Sequence, residues 1–147
     1  MNRKIDFRAW VYCRFFDLLP IEERKASDFK KNWVEKWVMG EVKTIHIGTG
    51  KARVIDGSMV SKNHDYKIGE ECILMQFTGR HDTNGKKIYE GDILQIAKSE
   101  ILGSVEYRFA EFVIARGSFV ESLTTRERYK WKMEVVGNIY ENNNLIK

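Results

Sequence analysis

Glu90 and Asp92 are the residues of this chain best placed to do chemistry. They lie two apart, so on an extended backbone both carboxylates leave the same face. Asp82 stands a few residues upstream, and Glu106 falls on the next expected strand, with Arg108 two positions further on. Clustered carboxylates beside a cation suit a divalent metal such as Mg²⁺ and the cleavage of a phosphodiester. A second reading takes the same residues as turn chemistry. In Glu90-Gly91-Asp92 the aspartate accepts backbone N–H bonds and the glycine takes a positive φ. The turn reading is the simpler one, so no catalytic residue is assigned, and Asp82, Glu90, Asp92 and Glu106 stand as the set for an alternative metal-dependent nuclease.

The remaining chemistry-bearing residues form no recognised constellation. The chain has no His-x-x-His, no Cys-x-x-Cys and no phosphate-cradling glycine loop. Gly48-Thr49-Gly50-Lys51 lacks the spacing of a P-loop and reads as a hairpin turn. His46, His64 and His81 have no paired spacing, so a zinc site built with Cys13 or Cys72 is the weaker account of them. No serine or cysteine sits in a nucleophile motif. No metal or cofactor is expected.

The best binding signal is Arg126-Glu127-Arg128-Tyr129-Lys130-Trp131-Lys132-Met133. If extended, Arg126, Arg128, Lys130 and Lys132 line one face at intervals of ~6.6 Å, from a rise of ~3.3 Å per residue, and such a row can track a phosphate backbone. Arg116 and Arg108 add to it. The aromatics Tyr129 and Trp131 share the opposite face, as they do in any half-buried strand with a solvated side. Three readings stay open for this row: an ordinary solvated face, nucleic acid, and an acidic protein partner.

The elements that must carry these residues are mostly strands. Ile5, Phe7, Ala9, Val11 and Cys13 alternate with Lys4, Asp6, Arg8, Trp10 and Tyr12, a period of two that predicts a strand with one buried face. Ser27 or Asp28 can cap a helix, and Phe29, Trp33 and Trp37 follow at spacing four with Val34 and Val38 beside them. Gly40 then supplies a stop. This predicts one amphipathic helix over residues 28–39, with Phe29, Trp33 and Trp37 as a candidate contact between copies of the chain. Beyond it, residues 42–47, 52–55, 72–77, 92–98, 102–107, 111–115, 128–133 and 134–139 read as short strands. Asn84-Gly85 is the strongest hairpin signal, and Asp56-Gly57 suits a second tight turn. The expected fold is mainly β with one helix, an antiparallel sheet closing into a small SH3-like barrel drawn from residues 76–139. One domain over residues 1–147 is expected, with a soft division near Gly69 into residues 1–69 and 70–147.

A chain of 147 residues with a charge of +4 and pI near 9.0 permits nucleic acid or an acidic partner without demanding either. Two cysteines in hydrophobic surroundings read as free thiols. The first residues lack an apolar signal core and no run approaches membrane-span length, so the expected location is the cytoplasm, with no membrane partner.

Three blocks carry a family resemblance. They are Arg3-Lys4-Ile5-Asp6-Phe7-Arg8-Ala9-Trp10, the stretch 76–93 with its Thr-Gly step, Asn-Gly turn and Ile-Tyr-Glu-Gly-Asp-Ile, and the closing Val136-Gly137-Asn138-Ile139-Tyr140-Glu141-Asn142. In that order they resemble the YopX-like proteins, a family of small phage and prophage proteins. Arg80-His81 and Asn143 depart from residues common in the family, and residues 15–41 have no clear counterpart in its shorter members. The resemblance implies a β-rich protein of a mobile element used inside a bacterial cell, and no activity. The leading expectation is a non-enzymatic, oligomeric module that binds nucleic acid or a host protein.

Overall fold

The computed structural model describes residues 6–16, 33–55, 65–96, 101–124 and 132–146, the side chains of residues 13–16 and 33–36 excepted. Its strands are β1 (Phe7–Phe16), β2 (Trp33–His46), β3 (Lys51–Ile55), β4 (Asp65–Lys67), β5 (Cys72–His81), β6 (Lys87–Tyr89), β7 (Asp92–Ile96), β8 (Leu102–Arg108), β9 (Glu111–Arg116), β10 (Phe119–Ser122) and β11 (Met133–Asn138). The protein is mainly β, its strands arranged in two antiparallel sheets. Among the described residues, no helix is long and apolar enough to cross a membrane. The chain divides into two compact units, one of Arg8–Leu74 and one made of Met1–Phe7 together with Met75–Lys147.

The expected helix over residues 28–39 is corrected. Residues 28–32 lie outside the described residues, and Trp33 onward forms β2, a strand of 14 residues. It pairs antiparallel with β1 from Phe16↔Trp33 to Arg8↔Glu41. The physical reason is the ambiguity of the spacing. Four residues is one helical turn, but it is also an even number, so Trp33 and Trp37 keep one parity on a strand as well. Val34, Val38 and Val42 hold the other parity, and β-branched residues favour the pleated backbone. Gly40 stops nothing; it is buried opposite Ala9 in the middle of the ladder.

In the unit Arg8–Leu74, the strand order is β4-β3-β2-β1, and β5 enters beside β1 through residues 72–74. One sheet face builds the core: Ala9, Val11, Ala52, Val54, Tyr66 and Cys72 are buried, with Val38, Val42, Ile45, Ile68 and Leu74 packed on them. Each fully buried aliphatic side chain here contributes about 1.5–3 kcal/mol by leaving water. The β2–β3 connection is a 3₁₀ turn, Ile47–Thr49, closed by Gly50 at φ 63°, as the hairpin reading of Gly48 to Lys51 expects.

In the other unit, β5 continues to His81 and pairs with β6, and a five-stranded sheet runs β10-β9-β8-β7-β11. The expected barrel is corrected here: β10 and β11 remain sheet edges, and no closed barrel is found among the described residues. One cause is visible at β11, whose outer edge is already occupied by the turn after β5. Thr83 N–H donates to the Met133 carbonyl at 2.9 Å, and Met133 N–H donates to Thr83 Oγ1 at 3.1 Å. An edge whose groups are spent on a turn offers no further strand a ladder. The core of this unit is Ile88, Leu94, Ile96, Val105, Phe112, Ile114, Leu123, Met133 and Val135.

Candidate functional site

The carboxylates that suggest metal chemistry are bound up in turns. Asp82 follows β5 and is only 8% exposed. Its Oδ1 accepts N–H bonds from Asn84 and Lys86, both at 2.8 Å, and its Oδ2 accepts one from Val135 at 3.1 Å. The backbone closes the same loop, with Asp82 N–H donating to Lys86 O at 2.8 Å and Gly85 at φ 81° turning the chain. Burial pushes the Asp82 carboxyl up, but the Val135, Lys86 and Asn84 amides and the Lys86 charge outweigh it. The net pKa falls below the usual aspartate value. Asp82 is thus a three-way acceptor that ties a hairpin turn to the edge of β11.

Glu90-Gly91-Asp92 is a turn as well. Asp92 is 1% exposed, and its Oδ2 accepts the Tyr89 N–H at 2.8 Å. Gly91 sits at φ 82°, where a side chain is strained, and a Cβ there would also touch Met75 Sδ and Tyr140 at 3.4 Å. The turn is pinned on three sides. Glu90 N–H donates to Gln76 O at 2.9 Å, Gly91 N–H to Val105 O at 2.8 Å, and Ile139 N–H to Gly91 O at 2.9 Å. The Glu90 charge lies near Tyr140, whose phenol is raised first by burial and then by that charge. Glu106 lies on β8 and is held by Arg108 Nη2 at 2.5 Å and by the Ser104 hydroxyl at 3.0 Å. Among the described residues, no three of His, Cys, Asp or Glu converge to hold a metal.

The outer face of the unit Arg8–Leu74 differs in kind. The register places Trp10 and Tyr12 of β1 beside Met39 and Trp37 of β2, on the face opposite Ala9 and Val11. Trp10 and Trp37 stack with ring centroids 6.4 Å apart and planes within 10°, and Tyr12 leans on Trp37 at 5.5 Å. Tyr12 is 40% exposed, and the two tryptophans are partly so. The same face continues across β2, β3 and β4 as Glu41, Thr44, His46, Lys51, Arg53, Asp65 and Lys67. Lys43, at the β2 bulge, pairs with Glu41 at 2.7 Å, Arg53 with Asp65 at 2.8 Å, and Lys67 with Glu70 at 3.4 Å. Partly or fully solvated pairs of this type yield readily to a competing anion. Among the described residues, Arg8, Lys43, Lys51, Arg53 and Lys67 share this face with Glu41 and Asp65, and the carboxylates of Glu70 and Glu71 sit beside Lys67.

The expected basic row falls largely outside the described residues: Arg126, Arg128 and Lys130 do, while Lys132 is exposed just before β11. Arg116 is exposed at the end of β9 and lines a cleft of about 240 Å³ with Glu106, Ser104, Leu102, Leu145 and Ile146. Of the expected contact between copies, Phe29 lies outside the described residues, Trp33 stands opposite Phe16 on the backbone, and Trp37 belongs to the ring platform. His64 is also outside them, and His46 and His81 are exposed on different strands. Cys72 is a buried free thiol whose pKa is pushed up to about 11 by burial, which suits packing and not reactivity.

The profile of the YopX protein family matches residues 21–147. The chain belongs to the YopX family. No curated protein matches it in sequence. Among solved structures, this YopX-family chain is similar to the crystal structure of protein EF1440 from Enterococcus faecalis, at 21% identity and a TM-score of 0.50, covering 99% of this chain and 100% of that one. At that identity the likeness is one of fold.

The motifs that carry the family resemblance have structural work in this YopX-family chain. In Thr78-Gly79, the ladder between β5 and β6 breaks, Gly79 sits at φ 82°, and the buried Thr78 hydroxyl donates to Ile88 O at 2.8 Å in place of the lost bonds. At the closing motif, Asn138 Oδ1 accepts the N–H groups of Tyr140 and Glu141, both at 3.0 Å, and Asn142 Oδ1 accepts the Asn138 N–H at 3.2 Å. Gly137 has no room for a side chain, because a Cβ would stand 2.5 Å from Asn142 Oδ1. The expected helix hides the ring platform, because it takes Trp37 away from Trp10 and Tyr12. The signal that finds it is Trp10 and Tyr12 standing on the polar side of an alternating strand.

Proposed function

We propose that this YopX-family protein is a non-enzymatic nucleic-acid-binding module of a phage or prophage, working in the cytoplasm of the bacterial cell. The observation that carries this reading is the outer face of β1 to β4, where the partly exposed rings of β1 and β2 share one sheet face with Lys43, Lys51, Arg53 and Lys67, which lie to one side of them. The acidic residues argue the same way from the opposite side. Asp82 and Asp92 spend carboxylate oxygens on backbone amides, and Glu106 is held by Arg108, so they serve the fold better than a reaction. The row from Arg126 to Lys132 and Arg116 would extend the cationic surface for the same ligand.

Fluorescence anisotropy of a labelled oligonucleotide tests the reading. Binding is expected to weaken steeply between about 50 and about 200 mM salt, because each neutralised phosphate releases a counterion. Lys43/Lys51/Lys67→Ala is expected to lower affinity and flatten the salt slope. The Arg126/Arg128/Lys130/Lys132→Ala variant measures the share of the second row. Absence of binding to DNA or RNA at low salt would reject the proposal.

A further inference from the structure

We infer that the Trp10–Tyr12–Trp37 platform takes unpaired bases, so that the ligand is single-stranded nucleic acid; this deepens the function proposed above and rests on it. The argument begins with the faces of the sheet. Ala9, Val11, Ala52 and Val54 are fully buried on the inner face, and the core cluster of the described residues does not draw on the outer rings. Three large aromatic side chains nonetheless occupy adjacent positions on the outer face, in mutual contact and partly open to solvent. Two indoles within 10° of parallel present flat surfaces of common orientation, which is the geometry a stacked base requires.

The charge around the rings selects the ligand. Lys43 lies further along β2, and Lys51, Arg53 and Lys67 lie on β3 and β4, to one side of the rings. An extended strand of nucleic acid laid across β1 to β4 sets its bases on the rings and its phosphates along the cations. A duplex cannot do this, because its bases are already stacked on one another and its outside is phosphate and sugar. A second copy of the chain is the less suitable occupant. It would bring a face with the same excess of cations against this one, and like charges across an interface are unfavourable.

The platform also differs from the aromatic cluster around Phe77. Phe77 meets His81 and Tyr89, both at 5.5 Å, and Lys87 lies 5.3 Å above the Phe77 ring while also pairing with Asp6. There the cation is already engaged by a ring and a carboxylate of the same unit. On the outer face of β1 to β4, Lys43, Arg53 and Lys67 pair with Glu41, Asp65 and Glu70 at the surface.

The test compares a labelled deoxythymidine oligomer of about 16 nucleotides, enough to span a site of this class, with a duplex of equal length. The full-length protein is expected to bind the single strand at least tenfold more tightly, with quenching of tryptophan fluorescence. Trp37→Ala and Tyr12→Ala are each expected to weaken the single strand by about tenfold, the range of one lost base–ring stack, and to leave residual duplex binding unchanged. Tyr12→Ala guards against a folding defect, since Tyr12 is the most exposed of the three rings. Equal affinity for both forms, with no effect of either variant, overturns this inference and leaves the nucleic-acid reading standing. Failure to bind either form overturns both. A Trp37→Ala variant that changes from dimer to monomer in sedimentation, with oligonucleotide affinity unchanged, assigns the face to a second copy and also overturns the inference.

Discussion

The turns around Asp82 and Asp92 and the outer face of β1 to β4 use polar and charged residues in opposite ways. In the turns, the side-chain oxygens point inward and meet N–H groups that would otherwise be orphaned where the ladders break. On the outer face, Lys43, Arg53 and Lys67 are held by surface carboxylates, and rings stack against each other beside solvent. The difference separates two meanings of a motif. Residues that identify the family can be those that solve a backbone problem, because such a problem has few solutions: an acceptor with two oxygens, a glycine at positive φ. Residues that meet a ligand solve no backbone problem, and they carry no local pattern beyond their placement on the wrong side of a strand.

The largest effect that can break this contrast belongs to Asp82. Asp82→Ala leaves the amides of Asn84, Lys86 and Val135 without their acceptor. At about 1–3 kcal/mol for a buried group left unsatisfied, a loss of roughly 3 kcal/mol is expected in urea denaturation. The pH dependence has a definite sign. The folded pKa of Asp82 is depressed, so its contribution is complete above the unfolded aspartate value of about 3.9 and disappears as pH falls through the folded value. The stability gap between the wild type and Asp82→Ala should therefore narrow on acidification below about pH 4. A gap that stays constant to low pH, or one under about 1 kcal/mol at neutral pH, would show that the carboxylate is not the tie described.

Gly137 gives the next largest effect. In Gly137→Ala, the new Cβ meets Asn142 Oδ1 at 2.5 Å and Cγ at 2.8 Å, so Asn142 must swing away and release the Asn138 N–H. Overpacking plus one lost hydrogen bond amounts to about 2 kcal/mol. Combining it with Asn142→Ala removes the clash, so the double variant should lose less than the sum of the two single losses. Strict additivity in thermal denaturation would place the strain elsewhere. Neither this variant nor a folded Asp82→Asn should alter oligonucleotide binding, which keeps the two regions distinct.

Turn chemistry was the legible part of the sequence, because it is local. Asn84-Gly85, Glu90-Gly91-Asp92 and Gly48 to Lys51 each name their own conformation within a few residues. β7, β8, β9 and β11 were legible as short apolar or β-branched runs, while the short β6 and β10 were not. The barrel was not legible, since closure depends on what the last strand's outer edge meets, and Asp82 reaches Val135 across 53 residues of sequence. The helix failed on arithmetic. Phe29, Trp33 and Trp37 at spacing four satisfy both periods, and only the β-branched character of Val34, Val38 and Val42, at the same spacing, favours the strand. That error removed Trp37 from the side of Trp10 and Tyr12, so the platform could not be assembled from the sequence.

The smallest stability effect belongs to the platform, and it is the most telling. Tyr12→Ala removes a ring that is 40% exposed and touches Trp37 at 5.5 Å. Its cost should be about 1 kcal/mol, the worth of an aromatic pair with modest burial. The same substitution is expected to lower single-strand affinity about tenfold. A residue that matters little to folding and much to binding marks a surface kept for a partner, whereas Asp82 should show the reverse. If Tyr12→Ala instead unfolds the protein as readily as Asp82→Ala, the rings are load for the β1–β2 ladder, and the two regions differ only in which backbone they hold. Urea denaturation and anisotropy on the same two variants decide between these outcomes, because each region then has one measurement it must move and one it must leave alone.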